Sequence, residues 1–198
     1  MVEIKRELLN STPLHDRYIK RFDFPVSKLF HKIKSQLVEE YVMMRSNGML
    51  GPQAGFYSYP ISIEPELCMN VYQNFSNIVE ETFYVNRAFD SERFANDFKL
   101  YCVCQNNDMR ASVSHNHTQT TSIASVFYLD LPEEGGELDF YFGDTSARLK
   151  PKLNTLYVFP HWVYHKPQPQ KDSKYRICIN MEFSSYDRPI VKETGDIW

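Results

Sequence analysis

The chain has 198 residues, 42% of them hydrophobic and 15% aromatic, with a formal net charge of −3. This length suits one domain, and the composition excludes a disordered or low-complexity chain. The small net charge without a dense run of Lys or Arg argues against nucleic acid or an anionic membrane as the main partner, and no apolar stretch approaches the roughly 18 residues needed to cross a bilayer.

The N-terminus, MVEIKRELLN, has neither the apolar core nor the small-residue cleavage site of a secretory signal. The sequence therefore predicts a cytoplasmic protein, and it leaves the oligomeric state open, a homodimer included. Four cysteines fit this compartment as reduced thiols: Cys68, Cys102, Cys104 and Cys178. Alternation on a strand would aim Cys102 and Cys104 to one face, which leaves a zinc contribution open, although two small buried side chains are the simpler interpretation.

Two amphipathic helices are predicted in the first half of the chain. The first runs from Pro25 to Asn47, where Asn47-Gly48 is a natural stop, and the second begins at Glu64-Pro65. Their apolar residues recur at helical spacing: Val26, Leu29, Phe30, Ile33, Leu37, Tyr41 and Met44 in the first, and Leu67, Cys68, Val71, Tyr72, Phe75, Ile78 and Val79 in the second. The intervening GMLGPQAGFYSYP is predicted to be a loop, and a shorter helical turn is predicted after Ser91.

After about Phe98 the chain changes to short runs rich in β-branched and aromatic residues. These runs are FKLYCVCQ, SIASVFYLDL, GELDFYF, NTLYVFP and KYRICINMEF, separated by turn-forming segments such as NND, PEEGG, GDTS and PQPQKDS. Five strands at such spacing predict an antiparallel sandwich or small barrel. Helices followed by strands favour an α+β domain in which the helices brace one face of the sheet.

A histidine pair, His115 and His117 in SVSHNHTQT, precedes the second of these strands. In an H-x-H pattern on an extended segment both imidazoles lie on one face and can bind one metal ion, to which a third histidine from a later strand would be added. His161 and His165, in FPHWVYHKP, lie on the same face of their segment, so spacing alone does not choose between them. The simpler alternative is that these histidines are structural; His15 and His31 receive no role.

The run from His115 to Phe183 resembles the Fe(II)- and 2-oxoglutarate-dependent dioxygenase superfamily, particularly the prolyl-hydroxylase-like branch and oxygenases with an H-x-H motif. Its elements occur in the order SHNH, VFYLDL, EEGGELDFYF, LKPKLNTLYVFP, His165 and Arg176. The first hundred residues contain no motif that can be placed.

The resemblance implies a double-stranded β-helix (jelly-roll or cupin-like) core with N-terminal bracing helices. The whole chain, 1–198, would be a single domain with a mainly helical N-terminal part (1–97), a core that holds the metal site (98–185) and a C-terminal tail (186–198). Gly135-Gly136 is predicted to be a turn.

The resemblance also implies a site. His115 matches the first metal ligand, His165 the distal ligand, and Arg176 the residue that pairs with the distal carboxylate of 2-oxoglutarate, a task that suits a guanidinium fork. Tyr128 and Cys178 are further candidates for co-substrate binding, although relatives often carry a hydroxyl residue where Cys178 stands.

The second metal ligand departs from the family pattern, which has Asp or Glu two residues after the first histidine. Here that position is His117, and if His117 were the first ligand the position would fall on Gln119. Asp139 could supply a carboxylate from another strand, although its simpler interpretation is an outward-facing strand residue. Three neutral imidazoles suit iron but leave one more unit of positive charge at the site.

The expected function is a non-haem oxygenase that uses Fe(II), 2-oxoglutarate and O2 to hydroxylate a protein side chain or a small molecule, releasing succinate. Two alternatives stay open: a three-histidine metal oxygenase without 2-oxoglutarate, and a non-enzymatic cupin-like β-sandwich that binds a metal or ligand. The expected partner is accordingly a small molecule, a protein or a peptide.

Overall fold

The computed structural model describes residues 18–24, 27–49, 56–60, 65–83, 98–106, 113–118 and 121–184. Within them lie the helices α1 (Ser27–Ser46) and α2 (Pro65–Phe83) and nine strands. The strands are β1 (Lys20–Asp23), β2 (Phe56–Pro60), β3 (Phe98–Gln105), β4 (Thr121–Asp130), β5 (Leu138–Phe142), β6 (Thr145–Leu149), β7 (Thr155–Pro160), β8 (Tyr164–Pro167) and β9 (Arg176–Ser184).

The strands form two antiparallel sheets, one of six strands in the order β1-β7-β4-β9-β3-β2 and one of three in the order β6-β5-β8. Strand β9 lies inside the large sheet between β4 and β3. An isolated bridge between His115 and His165 places the H-x-H segment beside β8. The expected antiparallel β architecture with two helices is therefore confirmed.

The helices share one apolar cluster with the large sheet. Phe30, Leu37 and Tyr41 of α1 are spaced so that one face of the helix is buried, and they join Phe75 of α2 and Phe183 of β9 in this cluster. Each buried ring of this kind stabilises the fold by roughly 1.5–3 kcal/mol relative to an exposed one.

Strand β9 presents different chemistry on its two faces because successive side chains alternate. Ile177, Ile179, Met181 and Phe183 lie in the cluster with the helices. Arg176, Cys178, Asn180 and Glu182 line a cavity on the opposite face. The polar face of β9 thus belongs to a site rather than to solvent.

The predicted helix ends and five long strands are confirmed with small shifts. Helix α1 begins at Ser27 and ends in a Schellman motif: Gly48 has φ of 66°, its N–H donates to Arg45 O at 3.0 Å, and Met49 N–H donates to Met44 O at 2.9 Å. The Gly135-Gly136 turn is also present, with positive φ at both glycines.

The prediction that GMLGPQAGFYSYP is wholly a loop is wrong. Its last five residues form β2, an edge strand that pairs with β3 in register from Phe56 opposite Gln105 to Pro60 opposite Tyr101. Proline is tolerated at such an edge. The short strands β1, β6 and β8 were also not predicted, and β6 occupies part of a segment assigned to a turn. The helical turn predicted after Ser91 and the C-terminal tail lie outside the described residues.

All four cysteines are free, as expected. Burial raises the pKa of Cys104 to about 12 and also raises that of Cys102, so both are neutral thiols. In the described part of the chain no cysteine belongs to a group able to hold a metal ion. No described helix is long and apolar enough to span a membrane.

Candidate metal centre and its cavity

Three histidines from two separate segments meet at one point. Backbone hydrogen bonds join His115 N to His165 O at 3.0 Å and His165 N to His115 O at 2.9 Å, which fixes the H-x-H segment against β8. One ligand atom from each of His115, His117 and His165 lies within 4.8 Å of the others, and Nε2 of His117 lies 3.4 Å from Nε2 of His165. This spacing lets a single ion contact all three rings.

Burial keeps the inner histidines in the neutral form that binds metal. The pKa of His165 is lowered to about 3, mainly by burial and further by electrostatic repulsion from His115 and His117. Burial also lowers the pKa of His117, although Glu182 opposes that shift. The cluster is therefore ready for a cation near neutral pH without first losing protons from these two rings.

Two of the rings are oriented by backbone carbonyls. His165 Nδ1 lies 3.2 Å from Val163 O, and His115 Nδ1 lies 3.1 Å from Val113 O. Because a carbonyl only accepts hydrogen bonds, each contact places the proton on Nδ1 and leaves the Nε2 lone pair for a metal.

The cluster contains His165 rather than its sequence rival His161. His161 contributes its backbone carbonyl, which accepts a hydrogen bond of 2.9 Å from His117 N. In this way the loop between β7 and β8 aligns the second histidine of the pair while the His161 side chain stays outside the cluster.

A cavity of about 160 Å³ opens beside the three rings. All six residues singled out from the sequence line it: His115, His117, Tyr128, His165, Arg176 and Cys178. The structure therefore brings the histidine cluster and the predicted co-substrate residues to one space, with apolar walls that include Leu138 and Phe159.

Arg176 is a buried cation, only 2% exposed, at the start of β9. Its Nη1 donates to the carbonyl oxygens of Gly136 and Gln168 at 3.3 and 3.4 Å, and its Nε has no hydrogen-bond partner. Among the described residues no carboxylate forms an ion pair with it. A buried guanidinium with two long bonds and no counterion is costly, and the arrangement fits an anionic ligand in the cavity.

Tyr128 and Cys178 lie opposite each other on β4 and β9. Burial raises the pKa of the Tyr128 hydroxyl, and burial raises that of the Cys178 thiol to about 11. Both are therefore neutral, and Tyr128 can act as a hydrogen-bond donor to an anion placed near Arg176.

Asp139 is neither the outward-facing residue nor the metal ligand that the sequence allowed. It is buried, and its oxygens accept from Arg148 Nε at 2.6 Å, Arg148 Nη2 at 2.8 Å and Gln168 Nε2 at 2.7 Å. The hydrogen bonds from Arg148 are the main cause that lowers the pKa of Asp139. The carboxylate is occupied within the small sheet, away from the imidazoles, because β6 brings Arg148 opposite it. Gln119 lies outside the described residues.

Sequence reasoning missed Glu182, the carboxylate that does approach the cluster. It is 3% exposed, its Oε1 lies 3.4 Å from His117 Nδ1, and it accepts a hydrogen bond of 2.5 Å from the Tyr101 hydroxyl. The signal was present, since Glu182 lies an even number of residues after Arg176 and so shares its face of the strand.

Two further cavity residues were missed. Gln105 Oε1 and Asn180 Oδ1 are buried without hydrogen-bond partners, and both side chains line the same cavity as Arg176. Unsatisfied buried polar atoms are uncommon in folded proteins, and their concentration here indicates that the cavity receives a polar molecule.

No protein-family model and no curated protein matches the chain. Solved structures do. A Pseudomonas putida prolyl-4-hydroxylase is 16% identical with a TM-score of 0.58, over 86% of this chain and 95% of that one. A Trichoplax adhaerens prolyl hydroxylase, in complex with a hypoxia inducible factor peptide fragment, is 13% identical with a TM-score of 0.56, over 98% and 96%.

A Burkholderia pseudomallei oxidoreductase of the 2OG-Fe(II) oxygenase family is 12% identical with a TM-score of 0.52, over 78% of this chain and 81% of that one. At such identities the similarity concerns the fold. The resemblance drawn from the sequence is therefore confirmed at that level: the chain has the fold of prolyl hydroxylases and 2-oxoglutarate oxygenases.

Proposed function

We propose that this protein is a non-haem Fe(II)- and 2-oxoglutarate-dependent oxygenase that hydroxylates a protein side chain or a small molecule. The observation that carries the proposal is one cavity in which three imidazoles occur together with the buried Arg176 guanidinium, whose Nε has no hydrogen-bond partner. A metal-binding end and a carboxylate-binding end are the two features that a chelating keto acid requires. The two sheets would form the jelly-roll core, with α1 and α2 bracing the large sheet.

The donor set fits a first-row divalent metal. Imidazole nitrogen suits iron, and three protein ligands leave coordination positions free on the cavity side. His115, His117 and His165 would hold the ion, which when bound supplies the activation of O2. The protein's own contribution is to keep the three Nε2 atoms oriented and to surround them with partly apolar walls.

Arg176 would bind the distal carboxylate of 2-oxoglutarate, with the neutral Tyr128 hydroxyl as a second donor. In the overall reaction, 2-oxoglutarate, O2 and R–H give succinate, CO2 and R–OH, so that one oxygen atom enters succinate and the other enters the substrate. The buried position of Arg176 supports this role, because only a small ligand reaches it.

The T. adhaerens neighbour is described with a bound peptide fragment, which supports a protein or peptide as one substrate class for this chain. The polar groups of Gln105 and Asn180 give the same cavity further hydrogen-bonding capacity.

The test begins with anaerobic loading of the purified protein with Fe(II). Addition of 2-oxoglutarate should produce the visible charge-transfer absorption of a chelated keto acid, and addition of O2 should then yield succinate, measured by mass spectrometry. Met in place of Arg176 should keep the metal and lose the 2-oxoglutarate signal. Metal-loaded protein that neither binds 2-oxoglutarate nor forms succinate would contradict the proposal.

The same experiment separates the alternatives. O2 consumption that needs no 2-oxoglutarate and survives Arg176→Met would favour a three-histidine oxygenase. The supporting observation is that, among the described residues, the group able to hold a metal ion contains three histidines and no carboxylate. Protein that binds no transition metal would favour a non-enzymatic binding domain.

A further inference from the structure

A buried carboxylate, Glu182, contacts the histidine cluster on the side of His117 Nδ1. The two ring nitrogens of His117 have different neighbours: Nε2 lies 3.4 Å from His165 Nε2, and Nδ1 lies 3.4 Å from Glu182 Oε1. The ring therefore has one nitrogen on the cluster side and the other on the carboxylate side. His115 and His165 differ, since their Nδ1 atoms meet backbone carbonyls instead.

Glu182 is held in place rather than free to turn to solvent. The residue is 3% exposed, it lies on central strand β9, and the Tyr101 hydroxyl of neighbouring β3 donates to its Oε1 at 2.5 Å. Tyr101, Glu182 and His117 thus form a chain that runs from the sheet to the cluster. A carboxylate that accepts a hydrogen bond from a metal-binding histidine fixes its tautomer and increases its basicity.

The contact between Glu182 and His117 affects the net charge of the metal site. Three neutral imidazoles leave both positive charges of a divalent ion uncompensated, whereas a carboxylate ligand would remove one of them. Glu182 is the one acidic side chain among the described residues that lines the cavity with the histidines. Because Glu182 contacts Nδ1 of His117, its charge would act on a bound ion through that ring without occupying a coordination position.

We propose that Glu182 is the positioning residue of the metal centre. Its carboxylate accepts a hydrogen bond from Nδ1–H of His117, directs Nε2 of that ring to a bound ion, and supplies the negative charge that the H-x-H motif lacks. This inference rests on the metal site of the proposed function, but not on 2-oxoglutarate or on turnover.

The test measures the affinity of the protein for Co(II) by competition with a chromophoric chelator, without co-substrate. Glu182→Gln keeps an acceptor of the same shape but removes the charge, and Glu182→Leu removes both. We expect about tenfold weaker binding for the first and up to about a hundredfold for the second, with a changed ligand-field spectrum of bound Co(II). Glu39→Gln, which removes an exposed negative charge on α1, is the matched control and should bind as the parent does.

A double-mutant cycle with His117→Ala identifies the route. If Glu182 acts through His117, Glu182→Gln should have little further effect once that ring is gone. The inference is overturned if Glu182→Gln binds Co(II) like the parent, or if it weakens binding equally without His117. A purely structural role would lower the melting temperature of the metal-free protein and leave the affinity unchanged.

If the parent protein itself binds no Co(II), the metal site is absent, and both the role of Glu182 and the proposed function are refuted. If Glu182→Leu does not fold, the near-isosteric Glu182→Gln decides the question. If the parent and Glu182→Gln differ in metal affinity but neither binds 2-oxoglutarate, the role of Glu182 is supported and only the proposed co-substrate is refuted.

Discussion

Replacing Arg176 by Met should leave the free protein as stable as the parent or more stable, and should weaken its binding of 2-oxoglutarate. In the free protein the guanidinium makes two long hydrogen bonds, of 3.3 and 3.4 Å, and leaves Nε unpaired at 2% exposure. A methionine of similar length buries apolar atoms in the same space without a charge to desolvate.

The two magnitudes follow from this environment. Removing an uncompensated buried charge in favour of a well-packed apolar side chain is typically neutral or stabilising, so the free energy of unfolding should stay within about 1 kcal/mol of the parent or rise. Removing one partner of a buried charge pair costs about 2–5 kcal/mol, which corresponds to roughly 30-fold to several-thousand-fold weaker 2-oxoglutarate binding.

The assay combines urea unfolding of the metal-free protein with 2-oxoglutarate titration of the anaerobic Fe(II) form. Arg176→Lys is the informative companion, because lysine keeps the charge but loses the planar fork. Its affinity for 2-oxoglutarate should lie between those of the parent and of Arg176→Met. Succinate as the titrant keeps the distal carboxylate of 2-oxoglutarate but has a plain carboxylate in place of the keto-acid end, so it tests Arg176 without the keto group.

Lower stability of Arg176→Met together with unchanged 2-oxoglutarate binding would contradict this prediction. If Arg176→Met unfolds at much lower urea while 2-oxoglutarate binds with parental affinity, then the guanidinium is a structural bridge between Gly136 and Gln168 and not a ligand anchor.

Three other outcomes are expected. His165→Ala should lose bound metal, measured by elemental analysis after Fe(II) or Co(II) loading, whereas His161→Ala should retain it; loss in both would place His161 among the ligands. Asp139→Asn should also keep its metal, but should lower the free energy of unfolding by about 1–3 kcal/mol because hydrogen bonds to a buried carboxylate are lost. Gly136→Ala should destabilise more than Gly143→Ala in thermal unfolding: φ is positive at both, 72° and 61°, but only at 136 does an added Cβ come within 2.7 Å of another side chain. Equal melting temperatures would show that this crowding relaxes.

Local sequence pattern was enough to predict that candidate residues on one strand or in one motif would line the same cavity. His115 and His117 alternate on an extended segment, and Arg176 and Cys178 alternate on β9. Such residues reach the same cavity because period-two geometry leaves them no other face. The longer strands were predictable for the same reason, since their apolar periodicity is a local property.

Pairing across the chain was not predictable in this way. Strand β2 is only five residues long, ends in Pro60 and is held by its register with β3, so its local preference alone is weak. Asp139 likewise has its partner, Arg148, across a hairpin whose second strand, β6, is not predicted and begins inside the predicted turn GDTS. Both errors concern short strands, whose stability comes from their neighbours rather than from their own residues.

The two buried charges of β9 explain why this strand organises the site. Arg176 and Glu182 occur on the same face, separated by about 20 Å of extended chain at roughly 3.3 Å per residue. Either charge alone would be costly in the interior. The guanidinium lies beside an open cavity with unsatisfied polar atoms, and the carboxylate lies beside an imidazole nitrogen. A ligand with an anionic end and a metal-chelating end could satisfy this arrangement in only one orientation. Under the proposed function, this arrangement on β9 would fix the orientation of bound 2-oxoglutarate, with the distal carboxylate at Arg176 and the chelating end at the histidines.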